Sequence, residues 1–103
     1  MIAKDFEIVK EIFSIVDTGI VDGYDSLRFE VEAREGYIDV SLIVERDGVF
    51  ISDARTDINN SILYDLVKRL RESAGQRGER WSSFTMSYRQ GEQVKTNFKY
   101  GEG

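Results

Sequence analysis

The sequence predicts an α+β domain with a mostly antiparallel five-stranded sheet, two helices on one face, and the order α-β-β-β-α-β-β. Two segments carry apolar residues at helical spacing, four others alternate apolar with polar residues, and Val49-Phe50-Ile51 is a short apolar run after a turn signal. Glu35-Gly36, Asp47-Gly48 and Gln90-Gly91-Glu92 fall between strand-like segments, where hairpin turns belong. With 103 residues the chain forms one domain, and its small core needs nearly every strong apolar run.

Residues 3–17 read as the first helix. Phe6, Val9, Phe13 and Val16 form a stripe that Ile2, Ile8, Ile12 and Ile15 widen, the pattern of a helix covering a sheet. The Gly19 and Gly23 region ends it. Residues 25–34 then change period: Leu27, Phe29, Val31 and Ala33 face a core, while Arg28, Glu30, Glu32 and Arg34 face water. Residues 37–45 continue as a second strand with Ile38, Val40, Leu42 and Val44 inward, and 49–51 as a short third. After a polar loop, a second helix runs over roughly 58–74, with Ile58, Ile62, Leu63, Leu66, Val67 and Leu70 on one side and Asp57 or Asn59 as cap. Trp81 to Arg89 and Val94 to Tyr100 form the closing hairpin, and residues 101–103 are expected to fray.

Composition narrows the chemistry. Histidine and cysteine are both absent, so the usual proton shuttle, the thiol nucleophile and the commonest transition-metal ligands are missing. No phosphate loop, calcium loop or other cofactor motif is present; Asp47, Asp53 and Asp57 lack EF-hand spacing. No catalytic, cofactor-binding or metal-binding residue is assigned, and the expectation is a binding protein and not an enzyme. Acids at positions 5, 7 and 11 interrupt the apolar run that a secretion signal needs, so the expected location is the cytoplasm, away from membranes.

The net charge of −5 is unevenly spread. Residues 1–57 hold 14 acids and 6 bases; residues 58–103 hold 5 acids and 8 bases. The acidic half argues against direct nucleic-acid binding and for a basic protein partner. In the predicted register Glu30, Glu32 and Asp39 share the wet face of the sheet, with Glu45 and Asp47 toward the hairpin, as an acidic partner-binding surface. Trp81, Tyr37 or Tyr24 could supply an aromatic anchor beside it. In the last hairpin, the alternation places Phe84, Met86, Tyr88, Phe98 and Tyr100 on the covered side, away from Lys95 and Lys99, which weakens a base-stacking platform.

The stretch Trp81-Ser-Ser-Phe-Thr-Met-Ser-Tyr-Arg-Gln-Gly-Glu-Gln-Val-Lys-Thr-Asn-Phe-Lys-Tyr100 resembles the closing hairpin of YezG-like immunity proteins, with Trp81, Gly91, Phe98 and Tyr100 matching the pattern. The order of elements is similar too. The resemblance implies an antitoxin that binds and neutralises a cognate bacterial toxin domain, typically a nuclease, in a contact-dependent or polymorphic toxin system. An acidic adaptor for another protein is the alternative, and a small RNA-binding domain a weaker one. The sequence leaves homo-oligomerisation open.

Overall fold

A computed structural model describes residues 3–100 of the protein. The expected core position of Ile2 and the expected fraying of 101–103 lie outside them. The elements are α1 (Ala3–Gly19), β1 (Ser26–Arg34), β2 (Tyr37–Arg46), β3 (Val49–Ile51), α2 (Asn60–Gln76), β4 (Trp81–Arg89) and β5 (Lys95–Tyr100). The five strands form one antiparallel sheet in the order β3-β2-β1-β4-β5. This is the predicted fold. No helix among the described residues is long and apolar enough to cross a membrane.

Both helices cover one sheet face. Ile8, Val9, Ile12 and Val16 of α1 and Leu63, Leu66, Val67 and Leu70 of α2 are buried with Leu27, Phe29, Val31, Val44, Phe84 and Met86. The helix stripe and the strand alternation thus meet as two apolar surfaces. Two predicted stripe residues stay outside. Phe6 is exposed beneath the Lys10 ammonium, 5.6 Å from its ring centroid, and Ile62 is exposed in the first turn of α2. A small sheet offers each helix a narrow contact, so the margins of a broad apolar stripe remain wet.

The ends of the elements are chemically specified. Asn59 caps α2 by accepting the Ile62 N–H at 3.2 Å. Asp47 and Gly48 both take positive φ, 54° and 79°, as the two-residue β2–β3 hairpin turn demands. The two helices run antiparallel: Asp5 in the first turn of α1 meets Arg77 just past α2, while Gly19 at the end of α1 meets the chain entering α2. Gly19 is required there, because a Cβ would stand 2.5 Å from Ile58 Cγ1 and 3.1 Å from the Asp57 carbonyl oxygen.

Candidate functional site

The strand register brings Glu30, Glu32, Asp39 and Glu45 onto the open face, with Glu32 directly opposite Asp39 and Glu30 opposite Ser41. Arginines come with them. Arg34 Nη2 lies 2.6 Å from Glu32 and its Nε 4.0 Å from Asp39; Arg28 lies 3.7 Å from Glu30, and Arg89 2.7 Å from Glu45. Thr85 and Ser26 hydroxyls also donate to Glu30 and Glu45. Half-exposed ion pairs contribute little stability, but each one cancels the field of a carboxylate. Across the sheet Lys95 stands opposite Ser87 and Lys99 opposite Ser83, adding further positive charge to the same face. The surface expected to be acidic is a charge-paired lattice.

Trp81 is not beside it. The indole is 1% exposed, packed edge-on against Phe84 at 5.1 Å and near Phe98 at 6.0 Å. Strict alternation from Phe84 would have turned Trp81 to the open face. A bulge between Trp81 and Ser83 inserts Ser82 and reverses that assignment, so Trp81 pairs with Tyr100 from the covered side. Tyr24 is buried as well, its hydroxyl donating to Asp17. Of the three candidate anchors only Tyr37, 59% exposed, lies at the surface.

Unbalanced negative charge gathers elsewhere, at the end of the sheet where the α1–β1 loop, the β2–β3 turn, the loop after β3 and the β4–β5 turn come together. Backbone bonds tie these segments to each other. Asp25 N–H donates to the Glu45 carbonyl at 2.7 Å, Gln90 N–H to the Asp25 carbonyl at 2.9 Å, and Asp47 N–H to Asp25 Oδ2 at 2.8 Å. Val21 N–H donates to the Arg55 carbonyl and Asp57 N–H to that of Gly19, drawing in the loop after β3. The end carries Asp17, Asp22, Asp25, Glu45, Asp47, Asp53, Asp57 and Glu92 against Arg46, Arg55, Arg89 and Lys95, with Arg89 already paired to Glu45. Arg55 is committed to Asp22 at 2.9 Å, and its hydrogen bond holds that carboxyl below the ordinary range. Arg46 is committed to the Gly23 carbonyl. Asp47, Asp53, Asp57 and Glu92 are exposed and take part in no ion pair among the described residues.

Beside them runs β3, an edge strand three residues long. Phe50 is 73% exposed and points to the open face opposite Glu45, and Val49 is exposed too. The Asp47-Gly48 turn signal found the strand but not its exposure. The signal available was position: a three-residue strand after a tight turn belongs at an edge, where one flank has no partner. Residues 47–53 therefore present two apolar side chains between Asp47 and Asp53.

The arrangement suits docking. Exposed aromatic surface can be desolvated by a partner while surrounding carboxylates select its charge. No group of three or more acids among the described residues is placed to hold a metal ion. The chain matches no family model and no curated protein.

Proposed function

We propose that the domain is an immunity protein that binds a cognate bacterial toxin domain, a basic nuclease, and neutralises it by steric and electrostatic occlusion. The observation that carries this reading is the acid-flanked apolar edge, with Phe50 between Asp47 and Asp53 at the negative end of the molecule. A nuclease exposes cations to hold phosphates. An inhibitor that covers them needs matching negative charge, one desolvated anchor and no reacting group of its own. The likeness of residues 81–100 to the closing hairpin of YezG-like immunity proteins supports the same reading.

The interface lies at residues 47–53 and not on the Glu30, Glu32 and Asp39 face, whose carboxylates already have arginine partners. Asp47 is the residue common to both surfaces.

The test is calorimetric titration with a candidate toxin domain, the C-terminal domain of a secreted protein encoded by a neighbouring gene, alongside an assay of its nuclease activity. A tight complex that abolishes the activity supports immunity. A tight complex that leaves it intact points to an adaptor, and no binding to a folded toxin domain removes the proposal.

A further inference from the structure

At the opposite end of the molecule, a groove of about 920 Å³ opens between the β1–β2 hairpin and the last turns of α2. Its walls carry Arg34, Lys68, Arg71 and Arg80, with Tyr37 and Tyr64. Arg34 is committed to Glu32 and Asp39. Lys68, Arg71 and Arg80 form no ion pair among the described residues, although Glu72 also lines the groove. Three uncommitted cations thus converge in a chain whose net charge is −5.

Arg71 is the most specific of them. Its guanidinium lies over the Trp81 ring, with Cζ 5.8 Å from the centroid, which fixes the long side chain. Its Nε–H is buried and has no hydrogen-bond partner among the described residues. A cation held in place over a ring loses little freedom when an anion binds it. Gly75 keeps the floor low: a Cβ there would meet only Arg80 Nη2, at 4.0 Å.

We propose that this groove binds a nucleoside polyphosphate, with Lys68, Arg71 and Arg80 holding the phosphates and the aromatic rim of Tyr37 and Tyr64 meeting the base. The volume lies within the range of small-molecule sites and is far larger than a phosphate ion requires. Tyr37 and Tyr64 are both exposed, offering ring surface that a base can cover and a carboxylate cannot. A long nucleic acid fits less well. The cations are confined to one groove instead of forming a track, and the acidic remainder of the chain repels a polyanion that leaves it. The proposal is independent of toxin binding, which uses the other end.

The experiment titrates the full chain at low salt with ATP, GTP, inorganic triphosphate, a tetraglutamate peptide and a single-stranded oligonucleotide. Saturable one-to-one binding of ATP or GTP is expected, about tenfold tighter than triphosphate because the base adds stacking. Lys68→Glu with Arg80→Glu, both on exposed positions, should weaken binding at least about tenfold with the circular dichroism spectrum unchanged. Gly75→Leu retains every cation but fills the floor, and should weaken binding comparably. Tyr37→Ala should bring ATP toward the affinity of triphosphate. Failure of both nucleotides to saturate, or equal affinity of the folded charge variant, overturns the site. Triphosphate binding as tightly as ATP removes the role of the aromatic rim. Tighter binding of tetraglutamate or of the oligonucleotide makes the groove a peptide or nucleic-acid surface instead.

Discussion

Asp5 and Arg77, 72 residues apart in the chain, meet through a 2.5 Å hydrogen bond that joins the start of α1 to the end of α2. The Asp5 carboxylate is 2% exposed and also accepts the Ser73 hydroxyl at 2.7 Å. Arg77 is fastened in turn by the Ser73 carbonyl and by Glu79. An acid at a helix N-terminus and a base at a helix C-terminus each favour the local backbone dipole, so the pair agrees with both helices. It locks the antiparallel helix pair at the end bearing the basic groove.

Burial alone would raise the Asp5 pKa, but the hydrogen bonds from Arg77 and Ser73 outweigh it and hold the group below the ordinary value of 3.8. A lowered folded-state pKa contributes stability above the unfolded value and loses it as pH falls. Thermal melts should therefore show this contribution intact at neutral pH and eroding below about pH 3.8. Asp5→Ala should cost roughly 2 kcal/mol at pH 7, since it removes a charge-assisted bond inside the structure. Its melts should also depend less on acid than those of the unaltered protein; an unchanged acid limb would show that other groups govern it.

At alkaline pH the corresponding group is Tyr24. Burial, and then the hydrogen bond its hydroxyl donates to Asp17, push its pKa well above the ordinary 10.0. A raised folded-state pKa contributes stability that is complete below pH 10 and lost as pH rises through the folded value. Tyr24→Phe should destabilise by about 1 kcal/mol near neutrality through the lost hydrogen bond. Denaturant titrations at pH 8 and pH 11 should then differ less for the variant than for the unaltered protein.

Gly19→Ala is conservative by helix propensity yet should destabilise by about 1–3 kcal/mol, because the new methyl collides with Ile58 and the Asp57 backbone. Hydrogen exchange should locate the effect in the loop after β3, where Asp57 N–H is bonded to the Gly19 carbonyl. A stabilising outcome would mean that this loop relaxes freely.

Two charge variants separate the candidate docking surfaces. Asp47→Asn with Asp53→Lys keeps a residue suited to the positive φ of position 47 and should slow association with the proposed toxin partner several-fold at low salt. Phe50→Ala should chiefly speed dissociation. Glu30→Lys with Asp39→Lys, by contrast, should change association little. Stopped-flow kinetics reads all three, and a dominant effect of the Glu30 and Asp39 pair would return the interface to the open face.

A buried aromatic gives a sharper check on the core. Trp81→Ala should cost about 3–5 kcal/mol and free the Arg71 guanidinium that stacks on the ring. Retention of full stability would contradict the 1% exposure of the indole.

The sequence by itself determined the element order, the strand boundaries to within a residue and the covered faces of the sheet. Each rests on a local period or a turn residue: Asp47-Gly48 at the hairpin, Asp57 or Asn59 as the cap, of which the structure uses Asn59, and the alternation from Leu27 to Val31. The unequal charge of the two halves was legible as well. Only the tertiary structure decided where that charge acts. Glu32, Asp39 and Arg34 share the open face as the alternation predicts, but only the packed side chains bring the Arg34 guanidinium to 2.6 Å from Glu32 and 4.0 Å from Asp39 and so cancel their charge. Ser82 turned Trp81 inward because one inserted residue reverses a two-residue period. The acidic end and the basic groove are assembled from segments distant in the chain, brought together by helix packing and strand order. No local periodicity encodes which loops share an end, since that depends on how the two apolar layers close over one core.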